Sequence, residues 1–148
     1  MGMLMVEDGT HIQAAADRVW GILTESPFIQ QYMFGCIAET DWKPRSPLLW
    51  KGVADSHLYV KGHIVAIDPL KQLEYTVIAP DMKLPDVPEN YLTVIYMLEE
   101  RKDGTVNLRL SMGDFNAVGA GKKRYEEMIS NGGWAPMLLK IKQLAERQ

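Results

Sequence analysis

Two alternating segments in the second half of the chain constrain the fold more than any other feature. Residues 91–100 and 105–115 each place apolar side chains at every second position over much of their length. Asp103-Gly104 lies between them, and Asp-Gly is a strong signal for a tight hairpin turn. Such alternation indicates strands with one buried face and one face in water. We therefore predict an antiparallel hairpin whose apolar face must be covered by another element.

The C-terminal segment, residues 118–148, is predicted to be helical and supplies this cover. Apolar residues at spacings of four, three and four form one stripe along it: Trp134, Leu138, Ile141 and Ala145. Pro136 has no N–H to bond with the carbonyl of Gly132, so we expect a kink or a break between Gly133 and Pro136. The sheet face and this helical stripe should pack against each other.

Shorter elements fill the rest of the chain. The predicted strands are residues 10–15, 36–42, 48–53, 57–61, 62–68 and 73–78, and the predicted helices are residues 16–24 and 26–35. Residues 79–90 carry three prolines and form a long loop, which favours a functional role. The pattern predicts an α+β fold: a curved antiparallel sheet of six to seven strands wrapped around a long C-terminal helix, with two short helices after the first strand. A length of 148 residues predicts one domain, residues 1–148.

Composition and charge exclude several classes of protein. Lys plus Arg number 16 and Asp plus Glu number 19, so the net charge is 16 − 19 = −3, without the basic footprint of a nucleic-acid binder. The single cysteine cannot form an internal disulfide, and the three scattered histidines predict no metal site. No apolar stretch is long enough for a membrane span, and no signal peptide is recognisable. We expect a cytoplasmic protein without a cofactor.

Five short motifs, in this order along the chain, resemble those of START-like (SRPBCC) proteins. They are the apolar-Ala-Val-Trp run in residues 12–24, Trp50-Lys51-Gly52, residues 62–69 followed by Leu73-Glu74-Tyr75, Gly104-Thr105 with Leu108 and Leu110, and Gly133-Trp134 with Leu138 and Ile141-Lys142. The nearest subgroup resembles the domain found in activators of the heat-shock-protein-90 ATPase and their bacterial relatives. Arg45, Pro136 and the long loop at residues 79–90 depart from the usual pattern.

The resemblance implies a helix-grip fold with a hydrophobic cavity, but it does not imply one function. The superfamily includes lipid and steroid carriers, aromatase/cyclases and proteins of unknown role, so the fold cannot decide among them. The leading hypothesis is non-catalytic binding of a small hydrophobic or amphipathic ligand, which is lipid-like, polyketide-like or aromatic, between the sheet and the C-terminal helix. The alternatives are a cyclase- or hydratase-type enzyme with a cavity acid or base, and a chaperone-cofactor-like interaction module. A homodimer and a chaperone partner stay open.

The chain is rich in Trp, Tyr and Met, and these residues supply most candidates for the cavity wall. Tyr and Trp bring a polar group on an apolar body, and Met adapts to irregular shapes. Each candidate either fills the core or lines the cavity, and Tyr96 and Trp134 are the strongest for the wall. The predicted ligand-binding residues are Trp20, Trp50, Tyr75, Tyr96, Leu110, Met112, Met128, Trp134 and Leu138.

Charged residues give weaker signals. We assign no catalytic residue, because neither the reach nor the pKa of a general base is visible in the sequence for His57 or His63. Glu74 is opposite in phase to Leu73 and Tyr75, so it should face water. The basic residues 122–124 are interpreted as a solvated face, with attraction of an anionic head group near a cavity mouth as the alternative.

Overall fold

The alternating segments assemble into one antiparallel sheet in the computed structural model, which describes residues 2–147. The strands are β1 (Val6–Ile12), β2 (Cys36–Glu39), β3 (Pro47–Gly52), β4 (Leu58–Asp68), β5 (Gln72–Val77), β6 (Leu92–Glu100) and β7 (Val106–Gly113). Their order across the sheet is β1-β7-β6-β5-β4-β3-β2. The predicted hairpin is β6 and β7, and its register pairs Val94 with Met112 and Tyr96 with Leu110. This register places the apolar side chains of both strands on the same face.

Four helices accompany the sheet within the described residues. They are α1 (Ala16–Thr24), α2 (Ser26–Tyr32), α3 (Gly121–Ser130) and α4 (Ala135–Glu146). Pro27 and Pro136 each stand in the first turn of a helix, where the missing N–H costs nothing. The last helix packs against β1, α1 and α2. The predicted α+β fold, a curved sheet of six to seven strands with two short helices after the first strand, is confirmed.

The core lies between the inner face of the sheet and the helices α1, α2 and α4. Side chains buried on the sheet include Tyr75, Val94, Tyr96, Leu108 and Leu110, and those buried on the helices include Ile22, Leu23, Ile29, Leu138 and Ile141. Irregularities between Trp50 and Lys51 and between Ile64 and Ala66 shift the register of the strands. Such bulges bend a strand and increase its twist. They lie in the half of the sheet that ends at β2.

Several predicted boundaries were wrong, and the backbone explains them. The first strand is Val6–Ile12 rather than residues 10–15. Its sequence is polar and does not alternate, and it forms a strand because it pairs with β7 along its whole length. The strand that begins at Cys36 ends at Glu39, before Trp42, whose φ of +55° lies in the left-handed region. Residues 57–61 and 62–68 are not separate strands, because Leu58–Asp68 is continuous.

The predicted long C-terminal helix is two helices. It begins at Gly121 rather than at residue 118, since Ala120 has a φ of +54° and cannot continue a right-handed helix. Gly132 and Gly133 have φ values of +91° and +60°, so the chain turns between α3 and α4 at the predicted break. Met1 and Gln148, the ends of the predicted domain, lie outside the described residues. Among the described helices, none has the length and hydropathy needed to cross a membrane.

Candidate ligand-binding cavity

A cavity of about 460 Å³ lies at one end of the sheet, where its inner face is covered by α3 and the start of α4. The sheet side of the cavity is apolar and consists of Val60, Val77, Ile78, Ala79, Leu92 and Met112. The helical side includes Arg124, Glu127, Met128, Pro136 and Met137. Three further residues, Phe34, Met82 and Phe115, contribute from the turn after α2 and from 3-10 turns at Pro80–Met82 and Phe115–Ala117. The volume lies within the range typical of small-molecule sites.

The loop of residues 79–90 is held against the body of the protein by side-chain contacts. The Nε2 atom of His57 lies 2.7 Å from Oδ2 of Asp81. Asp86 accepts a hydrogen bond from the Tyr91 hydroxyl at 2.5 Å and pairs with Lys61. Hydrogen bonding to Lys61 and Tyr91 lowers the pKa of Asp86, while burial, followed by the bond to Asp86, raises the pKa of Tyr91 to about 12. This loop therefore forms an anchored wall of the cavity.

The structure places the predicted ligand-binding residues in three groups. Met112 and Met128 line the cavity. Trp134 lies behind this wall, and its Nε1 donates to Sδ of Met112 at 3.3 Å. The remaining residues pack in or against the core away from the cavity: Trp20, Trp50, Tyr75, Tyr96, Leu110 and Leu138. Their assignment to ligand binding stays a prediction.

Aromatic rings connect the cavity wall to the interior of the sheet. Trp134 contacts Tyr96 edge to face with ring centroids 6.0 Å apart, and Tyr96 lies 6.4 Å from Tyr75. Trp50 extends the series beyond Tyr75 at 5.8 Å. Burial raises the pKa of both the Tyr75 and the Tyr96 hydroxyl. The Tyr96 hydroxyl is buried and has no hydrogen-bond partner within residues 2–147.

Arg124 is the cationic side chain that lines the cavity, and the interpretation of residues 122–124 as a solvated face was wrong for it. Lys122 and Lys123 are exposed, but Arg124 is only 7% exposed. Its Nη1 donates to the carbonyl oxygens of Asn90 at 2.9 Å and of Gly119 at 3.3 Å. Burial lowers the pKa of its guanidinium.

A signal for Arg124 was present in the sequence. Residues four apart share one face of a helix, so Arg124 lies on the same face as Met128, which was a candidate for the cavity wall. The apolar contributions of Phe34, Met82 and Phe115 had no such signal, because they come from turns. Their positions depend on how the loops pack.

Acid–base groups are sparse at the cavity. Glu127 is its one carboxylate, and no histidine of the described residues lines it. His63 lies on β4, exposed, and its Nδ1 is 3.1 Å from Oγ1 of Thr76. Within residues 2–147, no three His, Cys, Asp or Glu side chains are grouped closely enough to hold a metal ion. The cavity is thus equipped for binding by apolar contact, with one cation and one carboxylate.

Comparisons with known proteins agree with this architecture. The sequence model of the family described as "Activator of Hsp90 ATPase homolog 1-like protein" matches residues 13–146. The solution structure of ChR145 from Cytophaga hutchinsonii is 32% identical, with a TM-score of 0.71 over 97% of this chain and 94% of that chain. No curated protein matches the sequence.

Two solved structures of lower identity show the same fold. One is an Hsp90 activator from Plasmodium falciparum, 15% identical, with a TM-score of 0.64 over 88% of this chain and 89% of that chain. The other is the Aha1 dimer from Colwellia psychrerythraea, 13% identical, with a TM-score of 0.67 over 97% of each chain.

Proposed function

The chain belongs to the family of activator of Hsp90 ATPase homolog 1-like proteins, and we propose that it binds one small hydrophobic or amphipathic molecule without transforming it. The fold of this family commonly binds hydrophobic ligands. The site of this binding is the cavity at the end of the sheet. The observation that carries the proposal is the wall of that cavity, which is apolar on the sheet side and largely apolar on the helical side.

The volume of the cavity limits the size of the ligand. Taking ~30 Å³, the volume of one water, for each non-hydrogen atom, about 460 Å³ holds on the order of fifteen such atoms. A single alkyl chain of medium length or a compact aromatic compound fits this limit. Dodecanol, with twelve carbons and one oxygen, is therefore a suitable neutral probe.

The first test of the proposal is native mass spectrometry of gently purified protein, which should reveal a retained small-molecule adduct. The same protein, stripped of the adduct, should bind dodecanol saturably, as measured by isothermal titration calorimetry. Ala79→Trp places a large side chain in the cavity and should abolish both results.

Leu139→Trp is the matched control, because it adds the same side chain at an exposed position of α4 that does not line the cavity. This variant should bind like the wild type. Circular dichroism establishes that both variants are folded. The absence of both an adduct and saturable dodecanol binding would refute the proposal, as would wild-type binding by a folded Ala79→Trp protein.

A chaperone-directed role is a second candidate, supported by the family description and by a relative described as an Hsp90 activator. Phe34 is 63% exposed at the rim of the cavity, where it is accessible to a protein partner. A homodimer is a related proposal, because one relative is described as a dimer. Light scattering of the purified protein measures its oligomeric state, and an ATPase assay with added Hsp90 tests the activator role.

A further inference from the structure

Arg124 is buried without a charged partner. Its exposed fraction is 7%, yet no carboxylate of residues 2–147 lies within ion-pair distance of its guanidinium. Removing a cation from water is costly unless other groups compensate, and buried charges in proteins are usually paired. Two backbone carbonyls compensate only in part, because neither carries a full negative charge.

Among the described residues, one nitrogen of the Arg124 guanidinium makes all of its hydrogen bonds. Both of its hydrogen bonds come from Nη1, to Asn90 and Gly119. No bond from Nε or Nη2 to an acceptor is present among the described residues. A guanidinium offers five N–H groups in a planar fork, and a carboxylate accepts two of them side by side. The remaining donors of Arg124 therefore match the geometry of a carboxylate.

Arg124 supplies the positive charge in the wall of a mostly apolar cavity. Arg124 and Met128, one turn further along α3, both line the cavity, opposite the apolar residues of the sheet. Glu127 also lines the cavity, but it is exposed and forms no ion pair with Arg124. The N-terminus of α3, close to Arg124, adds a partial positive charge of its own.

Building on the proposed function, we infer that Arg124 binds the head group of the ligand and that the ligand is a single-chain carboxylate amphiphile. The carboxylate accepts hydrogen bonds from the free donors of Arg124, and the alkyl or aromatic tail lies against the apolar wall. The pairing neutralises the buried cation, so an anionic ligand gains an interaction that a neutral ligand of the same length lacks. Selectivity for the head group is the property that follows.

Three probes with the same tail separate head-group recognition from tail binding. Dodecanoate, dodecanol and dodecylammonium are titrated into the whole protein at pH 8, below their micelle concentrations, with calorimetric detection. Dodecanoate should bind about tenfold or more tightly than dodecanol, as expected for charge-assisted hydrogen bonds, and dodecylammonium should bind most weakly. Equal affinity for dodecanoate and dodecanol would overturn the inference and leave the proposed function intact. Failure of all three probes to bind would overturn the inference, and together with the absence of an adduct in native mass spectrometry it would overturn the proposed function as well.

Variants at position 124 test whether Arg124 causes the preference for dodecanoate over dodecanol. Arg124→Gln should reduce the dodecanoate-to-dodecanol affinity ratio to about one while dodecanol binding persists. Arg124→Lys keeps the charge but not the planar fork, so it should retain only part of the preference and provides the test if the glutamine variant does not fold. Lys123→Gln is the matched control, because it removes a positive charge from an exposed neighbouring position of the same helix that does not line the cavity, and it should keep the preference. A folded Arg124→Gln protein that still prefers dodecanoate would contradict the inference.

Discussion

The hydroxyl groups of Tyr96 and Tyr32 differ in hydrogen bonding, although both side chains are buried. The Tyr32 hydroxyl donates to the carbonyl oxygen of Leu23 at 2.8 Å. The Tyr96 hydroxyl has no partner within residues 2–147. A buried polar group without a hydrogen bond costs stability, whereas a bonded one contributes to it. The same chemical change at the two positions should therefore have different effects.

Tyr96→Phe should leave the free energy of unfolding unchanged or raise it by up to about 1 kcal/mol, because it removes an unsatisfied hydroxyl. Tyr32→Phe, the matched control, should lower it by about 1 kcal/mol through loss of the bond to Leu23. Urea unfolding followed by circular dichroism measures both. A loss of more than about 1 kcal/mol in Tyr96→Phe would mean that the hydroxyl is bonded in solution.

For Arg124, the sequence predicts the helical face but not the burial of the side chain. Its helical face was readable from the spacing to Met128. Its burial was not, because the carbonyls that accept its hydrogen bonds come from Asn90 and Gly119, outside the helix. The contact with Asn90 spans 34 positions of the chain. Long-range contacts of this kind have no local signature.

At the scale of elements, the loop of residues 79–90 is fastened by a titratable contact. His57 precedes β4, and Asp81 lies in the 3-10 turn at Pro80–Met82, next to the cavity residues Ala79 and Met82. The hydrogen bond to Asp81 raises the pKa of His57. A raised pKa means that folding favours the protonated imidazole. The contribution of the His57–Asp81 pair to stability is complete below the ordinary His pKa of about 6.5, and it is lost as pH rises through the pKa of His57 in the folded protein.

Asp81→Asn should lower the pKa of His57, because it removes the negative hydrogen-bond acceptor. NMR titration of the His57 ring protons measures this change directly. Asp86→Asn serves as the control, since the Asp86 side chain bonds Lys61 and Tyr91 rather than His57. The pKa of His57 should be the same in this control as in the wild type. An unchanged His57 titration in Asp81→Asn would show that the pair does not form in solution.

The elements differed in how well they could be predicted. The hairpin of β6 and β7 was located within a few residues, because alternation and the Asp-Gly turn are local signals. The first strand was displaced, because an edge strand with Glu7 and Asp8 obtains its conformation from pairing with β7. The break before α4 was expected from Pro136, and the two glycines before it provide the left-handed turn.

Considered as a whole, the molecule joins its core and its cavity at Trp134. This residue is 5% exposed, contacts Tyr96 on the core side and donates to Met112 on the cavity wall. It directly precedes α4, which packs against β1, α1 and α2. Removing the indole would therefore leave a void between the sheet and α4.

Trp134→Ala should lower the free energy of unfolding by roughly 3–5 kcal/mol, the usual cost of truncating a tightly packed aromatic residue. Leu139→Ala, at a position of α4 that is 57% exposed, should change it by less than about 0.5 kcal/mol. Equilibrium denaturation in urea measures both variants. A small loss in Trp134→Ala together with altered dodecanol uptake would instead place Trp134 on the cavity wall.

The turn between α3 and α4 separates the helix that lines the cavity from the helix that packs mainly in the core. Leu138, Ile141 and Leu144 of α4 are buried in the core, and α4 reaches the cavity through Pro136 and Met137 in its first turn. Arg124 and Met128 of α3 line the cavity. Under the proposed function, we therefore expect substitutions on α3 to alter ligand preference while the buried residues of α4 that maintain the fold stay in place. A change of ligand would then require a new surface on one ten-residue helix and not a rebuilt core.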